Sequence, residues 1–255
     1  MRVSCVRPHG RDIAFAIFIL AGCPEANPSA LPPKNWRRLV YVDESATVSL
    51  EERHAWPHEI LALAGDCRDS LWNRTASNEI VVLPLHAYTQ SATPIARQTL
   101  SGSELERTKC YRSRAQFSRQ LDSMALLQFQ LPVRKWSDIL GSIDEATRYL
   151  NRDTLSVRDL YYFSDMLHDA PPGVRLVGAS APRGPAAAVA LAERLVSEHQ
   201  WAPGQLSGVS VHVRLPGTIS GATSAGVSND PATIEAFWRR LFELLGARVV
   251  SWSRF

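Results

Sequence analysis

With 255 residues, 45% of them hydrophobic and 21% charged, the chain has an ordinary globular composition and is long enough for one large α/β domain with a well-buried core. Its formal charge of +3 is small and scattered, which gives no support to a nucleic-acid-binding surface.

The first 22 residues have the pattern of a secretory signal peptide. Arg2, Arg7 and Arg11 precede the apolar run Ile13-Ala14-Phe15-Ala16-Ile17-Phe18-Ile19-Leu20, which small residues close. That run is about half of the roughly 20 residues a membrane-spanning helix needs. Leu20-Ala21-Gly22-Cys23 resembles a bacterial lipobox, in which Cys23 would be lipidated and become the mature N-terminus. Residues 23–36 then read as a lipidated cysteine followed by an extended, proline-rich tether, and residues 37–255 as the folded domain. Loss of the signal would remove three arginines and one aspartate, leaving a nearly neutral body of charge +1. The expected location is the bacterial envelope, facing the periplasm. Pro24, in place of the aspartate associated with inner-membrane retention, favours the outer membrane. Of the remaining cysteines, Cys67 and Cys110 either pair in that oxidising compartment or fill apolar space.

Along the body, Arg37 to Val42 is predicted as a fully buried strand, because its apolar residues run on without alternation. Leu50 to Trp72 has helical spacing, with Pro57 beginning or kinking the helix. Glu79 to Leu85 is a second apolar strand. Thr89 to Arg114 is polar and reads as an irregular excursion with a short helix, and Ala115 to Leu127 as helix. An amphipathic helix opens at Trp136-Ser137-Asp138 and runs to about Leu150, with Ser137 as the expected N-cap. Val157 to Ser164 is a strand and Pro185 to His199 an alanine-rich helix. Val209 to Leu215 alternates like a strand with one solvated face. A Gly/Ser/Thr-rich loop spans Gly217 to Asn229. Asp230 caps a helix with Pro231 at its first position, and Val249-Val250 forms a last strand. Strands alternating with helices imply an α/β fold: a doubly wound, mostly parallel sheet flanked by helices.

Asp43-Glu44-Ser45-Ala46-Thr47 directly follows the first strand, placing a carboxylate and two hydroxyls at its C-terminal end, where open α/β sheets bind ligands. Ser137, before a helix, and Asp165, after a strand, supply further oxygens. Such a set suits a hard divalent cation such as Mg²⁺.

These residues resemble the metal-ion-dependent adhesion site of the von Willebrand factor A (VWA) family. Asp43, Ser45 and Thr47 match its D-x-S-x-S motif, with Thr replacing the last Ser. Ser137 matches the threonine that opens a later helix, and Asp165 the aspartate that closes the fourth strand, with Met166 where the family has glycine. The resemblance covers about residues 37–252. It implies a non-catalytic binding module in which Mg²⁺ or Mn²⁺, held by Asp43, Ser45, Thr47, Ser137 and Asp165, engages an acidic side chain of a partner protein. One alternative is a haloacid-dehalogenase-like phosphotransferase, whose D-x-D-x-T motif carries a second aspartate where this chain has Ser45. Another is a VWA-like scaffold that binds no metal.

His54 and His58 lie one helical turn apart but have Pro57 between them, so they are read as a solvated helix face. Gly217 to Gly226 lacks both the lysine of an ATPase phosphate loop and the G-x-S-x-G spacing of a hydrolase.

Overall fold

The computed structural model describes residues 35–45, 48–65, 67, 78–86, 89, 92–100, 107–130, 137–153, 156–170, 174–178, 181–198, 201–217 and 230–254. Residues 1–34, which include Cys23 and the segments read above as a signal peptide and most of a tether, lie outside them, as do Thr47 and most of the Gly217 to Asn229 loop.

Among the described residues a six-stranded sheet has the order β3-β2-β1-β4-β5-β6, in which β3 is Ala96–Leu100, with five helices beside it. Strands β1 (Trp36–Asp43), β2 (Asn78–Leu85), β4 (Val157–Phe163), β5 (Val209–Leu215) and β6 (Arg248–Arg254) are parallel. This is the doubly wound α/β architecture that the alternation of elements implied. Strand order reverses between β1 and β4, which opens a crevice at their C-terminal ends.

β1 and β2 are buried on both faces, which explains their unbroken apolar runs. Leu39 and Tyr41 point into a core shared with α3 (Ile139–Leu150), α4 (Pro185–Glu198) and α5 (Pro231–Leu244). Val40 and Val42 point the other way, onto α1 (Leu50–Leu63) and α2 (Arg107–Gln130) through Trp56, Ile60, Phe117 and Leu121. In the first core, Tyr41 and Tyr162 stack at 5.4 Å and both hydroxyls bond to Ser142. α3 is thereby pinned to the middle of the sheet.

Three elements differ from the sequence reading. The polar stretch 89–114 contains an antiparallel edge strand, β3 (Ala96–Leu100), and then the start of α2. β3 buries Ala96, Gln98 and Leu100 and exposes Arg97 and Thr99, so its alternation is real but only Leu100 adds a large apolar side chain to it. α1 continues through the buried Pro57 but stops at Leu63, well short of Trp72, because Gly65 turns the chain with φ +77°. β6 is longer than the Val249-Val250 pair.

Cys67 therefore lies beyond α1 rather than inside a helix, and it is bonded to Cys110 of α2 with a Cα–Cα distance of 5.8 Å. Arg114 donates to the Gly65 carbonyl nearby, so two ties join the end of α1 to α2. The bridge closes a 43-residue separation, and a loop of that length predicts about 4 kcal/mol of chain-entropy stabilisation. Reduction, or Cys110→Ser, is expected to lower the unfolding free energy by about 2–4 kcal/mol in urea titrations. An unchanged midpoint with and without reductant would show that the bridge contributes nothing.

On the α1 side of β5, His212 stacks on Tyr161 at 4.5 Å and bonds to Ser251 through Nδ1 at 3.0 Å. Burial holds its imidazole below the usual range; Asp159 opposes this, while Arg38 and Arg248 add to it. A depressed folded-state value means that the unfolded chain takes up the proton first as pH falls. Stability is then expected to decline below about pH 6.5, and His212→Gln to flatten that decline in denaturant titrations at pH 5 and 7.5.

Candidate functional site

Asp43 ends β1 at the crevice, and its side chain is fully buried. Oδ1 accepts the Ser45 N–H at 2.8 Å, an Asx turn that bends the chain as it leaves the strand. The same oxygen accepts the Ser137 hydroxyl at 2.9 Å. Oδ2 accepts the Ser164 hydroxyl at 2.6 Å. The β1–β4 register sets Val42 opposite Phe163, so Ser164 arrives level with Asp43. Three donors from three segments thus replace the water that a carboxylate otherwise needs.

Ser137 reaches Asp43 because it is released from capping. Asp138, not Ser137, is the N-cap of α3, its Oδ1 accepting the Gly141 N–H at 2.8 Å. A Cβ on Gly141 would meet the Asp138 carboxylate where it now stands, so a larger residue there would make that side chain shift. Burial pushes the Asp138 carboxyl above the ordinary range, against the pull of the Gly141 N–H.

The buried His168 completes the helix entry: its Nδ1 accepts the Ile139 N–H at 3.1 Å and lies 3.5 Å from the Leu140 nitrogen. Accepting requires that this nitrogen carry no proton. The backbone adds two more stitches, Asp138 N–H to the His86 carbonyl at 3.1 Å and Asp169 N–H to the Ser137 carbonyl at 3.3 Å. Ser137 is therefore held between the end of β2 and the loop after β4.

That loop is tightly wound. The Ser164 hydroxyl accepts the Met166 N–H at 2.9 Å, and Asp165 Oδ1 accepts the Leu167 N–H at 2.9 Å. Met166 takes a left-handed conformation, φ +61°, at the position where the VWA motif has glycine. A non-glycine residue there costs on the order of 1–2 kcal/mol. Its fully buried side chain and a 2.9 Å bond from Trp238 Nε1 to its carbonyl offset that strain.

Arg53, in the first turns of α1, closes the cluster from below. It is buried and donates to the Ser45 carbonyl. Burial pulls its guanidinium below the ordinary range, while Asp43, Glu44 and Asp165 all push it back up. The three carboxylates thus share one field with an internal cation.

Of the residues singled out in the sequence, Asp43, Ser45, Ser137 and Asp165 are gathered at the crevice. Thr47 lies outside the described residues. Ser164, His168 and Arg53 were not assigned roles from the sequence. Ser164 carried a usable signal, a hydroxyl beside Asp165 at a strand end. His168 and Arg53 carried none, since neither has ligand-like spacing. Among the described residues no group of three or more His, Cys, Asp or Glu side chains is placed to hold a metal ion. The cluster instead combines two buried aspartates with serine hydroxyls, an all-oxygen set whose chemistry fits a hard cation that retains water.

No family model matches the sequence, and no curated protein matches it either. Among solved structures, the conserved hypothetical protein BatB from Bacteroides thetaiotaomicron is similar at 12% identity, covering 87% of this chain and 92% of that one, with a TM-score of 0.45. A von Willebrand factor type A structure from Catenulispora acidiphila is similar at 12% identity over 84% of this chain and 43% of that one, TM-score 0.37. Manganese-loaded TRAP protein from Plasmodium vivax is similar at 13% identity over 84% of this chain and 64% of that one, TM-score 0.37. The chain thus spans less than two thirds of the latter two.

His168→Phe keeps a ring of similar size but leaves the Ile139 N–H without its acceptor. It is expected to cost about 1–3 kcal/mol of unfolding free energy in urea titrations. A change below about 0.5 kcal/mol would mean that the ring does not hold the α3 entry in place.

Proposed function

We propose that this chain is a non-catalytic, envelope-anchored binding protein of the VWA kind, which uses a divalent cation to engage a carboxylate of a partner protein. One observation carries the reading. Hydroxyls from two different elements, Ser137 and Ser164, converge on the buried Asp43 carboxylate at the switch point, with Asp165 next along the β4 end. Asp43, Ser45, Ser137 and Asp165 would hold Mg²⁺ or Mn²⁺, and Thr47 joins them by its place in the motif. A hard cation bound there, with an open coordination position, supplies electrostatic attraction for one carboxylate oxygen of the partner. Ser45 stands where a phosphotransferase of the D-x-D-x-T type has its second aspartate, and a serine hydroxyl is a poor general acid/base for that role.

The anchoring half of the proposal rests on residues 1–23. The basic and apolar regions and Cys23 supply export and lipidation, and the proline-rich stretch after them gives the domain reach from the membrane.

The test is thermal unfolding of the full chain, in mild detergent, with EDTA or with millimolar Mg²⁺ or Mn²⁺. At a cation concentration one hundred times Kd, binding to the folded state alone contributes about 2.7 kcal/mol. For a domain of this size that is a rise in Tm of about 5 °C or more. Asp43→Ala is expected to abolish the rise. Absence of any cation-dependent shift in the wild-type chain would sink the metal reading.

A further inference from the structure

Ser164 joins two segments at the crevice through a single oxygen. Its hydroxyl donates to Asp43 Oδ2 at 2.6 Å and accepts the Met166 N–H at 2.9 Å. The side chain is fully buried, and the backbone is fixed as well, its N–H reaching the Arg214 carbonyl at 3.2 Å. A serine oxygen has one proton and two lone pairs. In Ser164 the proton goes to Asp43 and a lone pair goes to Met166. The Ser137 hydroxyl also gives its proton to Asp43, but both its lone pairs stay clear of hydrogen bonds among the described residues. Ser137 is thus the better suited to meet an ion directly, and Ser164 to hold other groups in place.

What Ser164 holds is the end of β1 against the turn that carries Asp165. Its bond to the Met166 N–H and the bond from the Leu167 N–H to Asp165 Oδ1 at 2.9 Å wind that turn from either side. The β1–β4 register, with Val42 opposite Phe163, brings the two strand ends level, and the Ser164 hydroxyl fastens the Asp43 carboxylate across them.

Resting on the reading of the crevice as a divalent-cation site, we propose that Ser164 is a positioning residue that sets the ion-size preference of the site, by fixing Asp43 relative to the turn that carries Asp165. Mg²⁺ demands near-ideal octahedral oxygens at about 2.0–2.1 Å, whereas Ca²⁺ accepts looser and more numerous oxygens at about 2.3–2.6 Å. Carboxylates held in place by hydrogen bonds favour the smaller ion, and carboxylates free to swing accept the larger one. Removing the Ser164 hydroxyl leaves every charged group where it is. It also takes a donor from Asp43 Oδ2, which strengthens the pull of that oxygen on any cation, so the ratio of affinities is the diagnostic quantity.

The experiment compares the full chain with Ser164→Ala and Ser164→Thr, titrating Mg²⁺ and Ca²⁺ separately by calorimetry and recording Tm in EDTA. Wild type is expected to prefer Mg²⁺. Ser164→Ala is expected to lower the ratio of Mg²⁺ to Ca²⁺ affinity by about tenfold or more, and to lower Tm in EDTA. Ser164→Thr keeps the hydroxyl and is expected to hold the ratio within about threefold of wild type. A lower Tm in Ser164→Ala with the wild-type ratio would make Ser164 a structural residue alone and overturn its role, with the cation reading left standing. Equal affinity of wild type for the two ions, or a loss of preference in Ser164→Thr as large as in Ser164→Ala, would overturn it too. Binding of neither ion by wild type overturns both the role and the reading. If Ser164→Ala is unfolded in EDTA, the ratio is read from the Mg²⁺ and Ca²⁺ concentrations that restore its near-ultraviolet circular dichroism, and restoration by neither ion counts against the proposal.

Discussion

The Asp43 carboxylate is withdrawn from water at the point where the sheet reverses its strand order, and it must be satisfied by protein groups. Each group that satisfies it constrains a different part of the chain. The Ser45 N–H shapes the turn out of β1, the Ser164 hydroxyl fixes the turn out of β4, and the Ser137 hydroxyl sets the approach of α3. Those three demands propagate. Ser137 is available because Asp138 caps the helix, and Asp138 does so packed closely against Gly141. Ser164 is level with Asp43 only because β1 and β4 pair in the observed register.

Much of this was legible in the sequence. The central strands are buried on both faces, so their apolar runs are unbroken and easy to recognise. Asp43 follows such a run directly, and Asp165 follows another, so both could be assigned to strand ends from pattern alone. β3 was hidden because an edge strand needs little apolar area, and Arg97, Gln98 and Thr99 give no hydrophobic period to detect. The cap of α3 was misassigned between neighbours: Ser137 and Asp138 are both good N-caps, and only the tertiary demand of Asp43 separates them. His168 and Arg53 reach the site through side-chain direction, which a one-dimensional pattern does not carry.

Met166 shows how a turn that favours glycine can be held by another residue. The turn after β4 calls for a left-handed residue at position 166, and glycine takes that conformation without strain. Here the strain is accepted because the methionine side chain is fully enclosed and its carbonyl is fixed by Trp238 of α5. The turn that presents Asp165 is thereby coupled to a helix on the far side of the core. A glycine at this position would relax the backbone but lose that enclosure, so the loop would keep its shape less firmly.

The charge count at the crevice joins these parts. Asp43 and Asp165 are buried, Glu44 is half-buried, and Arg53 is the cation that shares their field. On the proposed reading, a divalent ion held among these carboxylates would offer its open position to a carboxylate of the partner. Serine hydroxyls add no charge there, whereas an aspartate in place of Ser45 would make the surroundings of Asp43 more negative. On the proposed reading, serine hydroxyls around few carboxylates would leave a bound divalent ion the positive charge with which it attracts an acidic group.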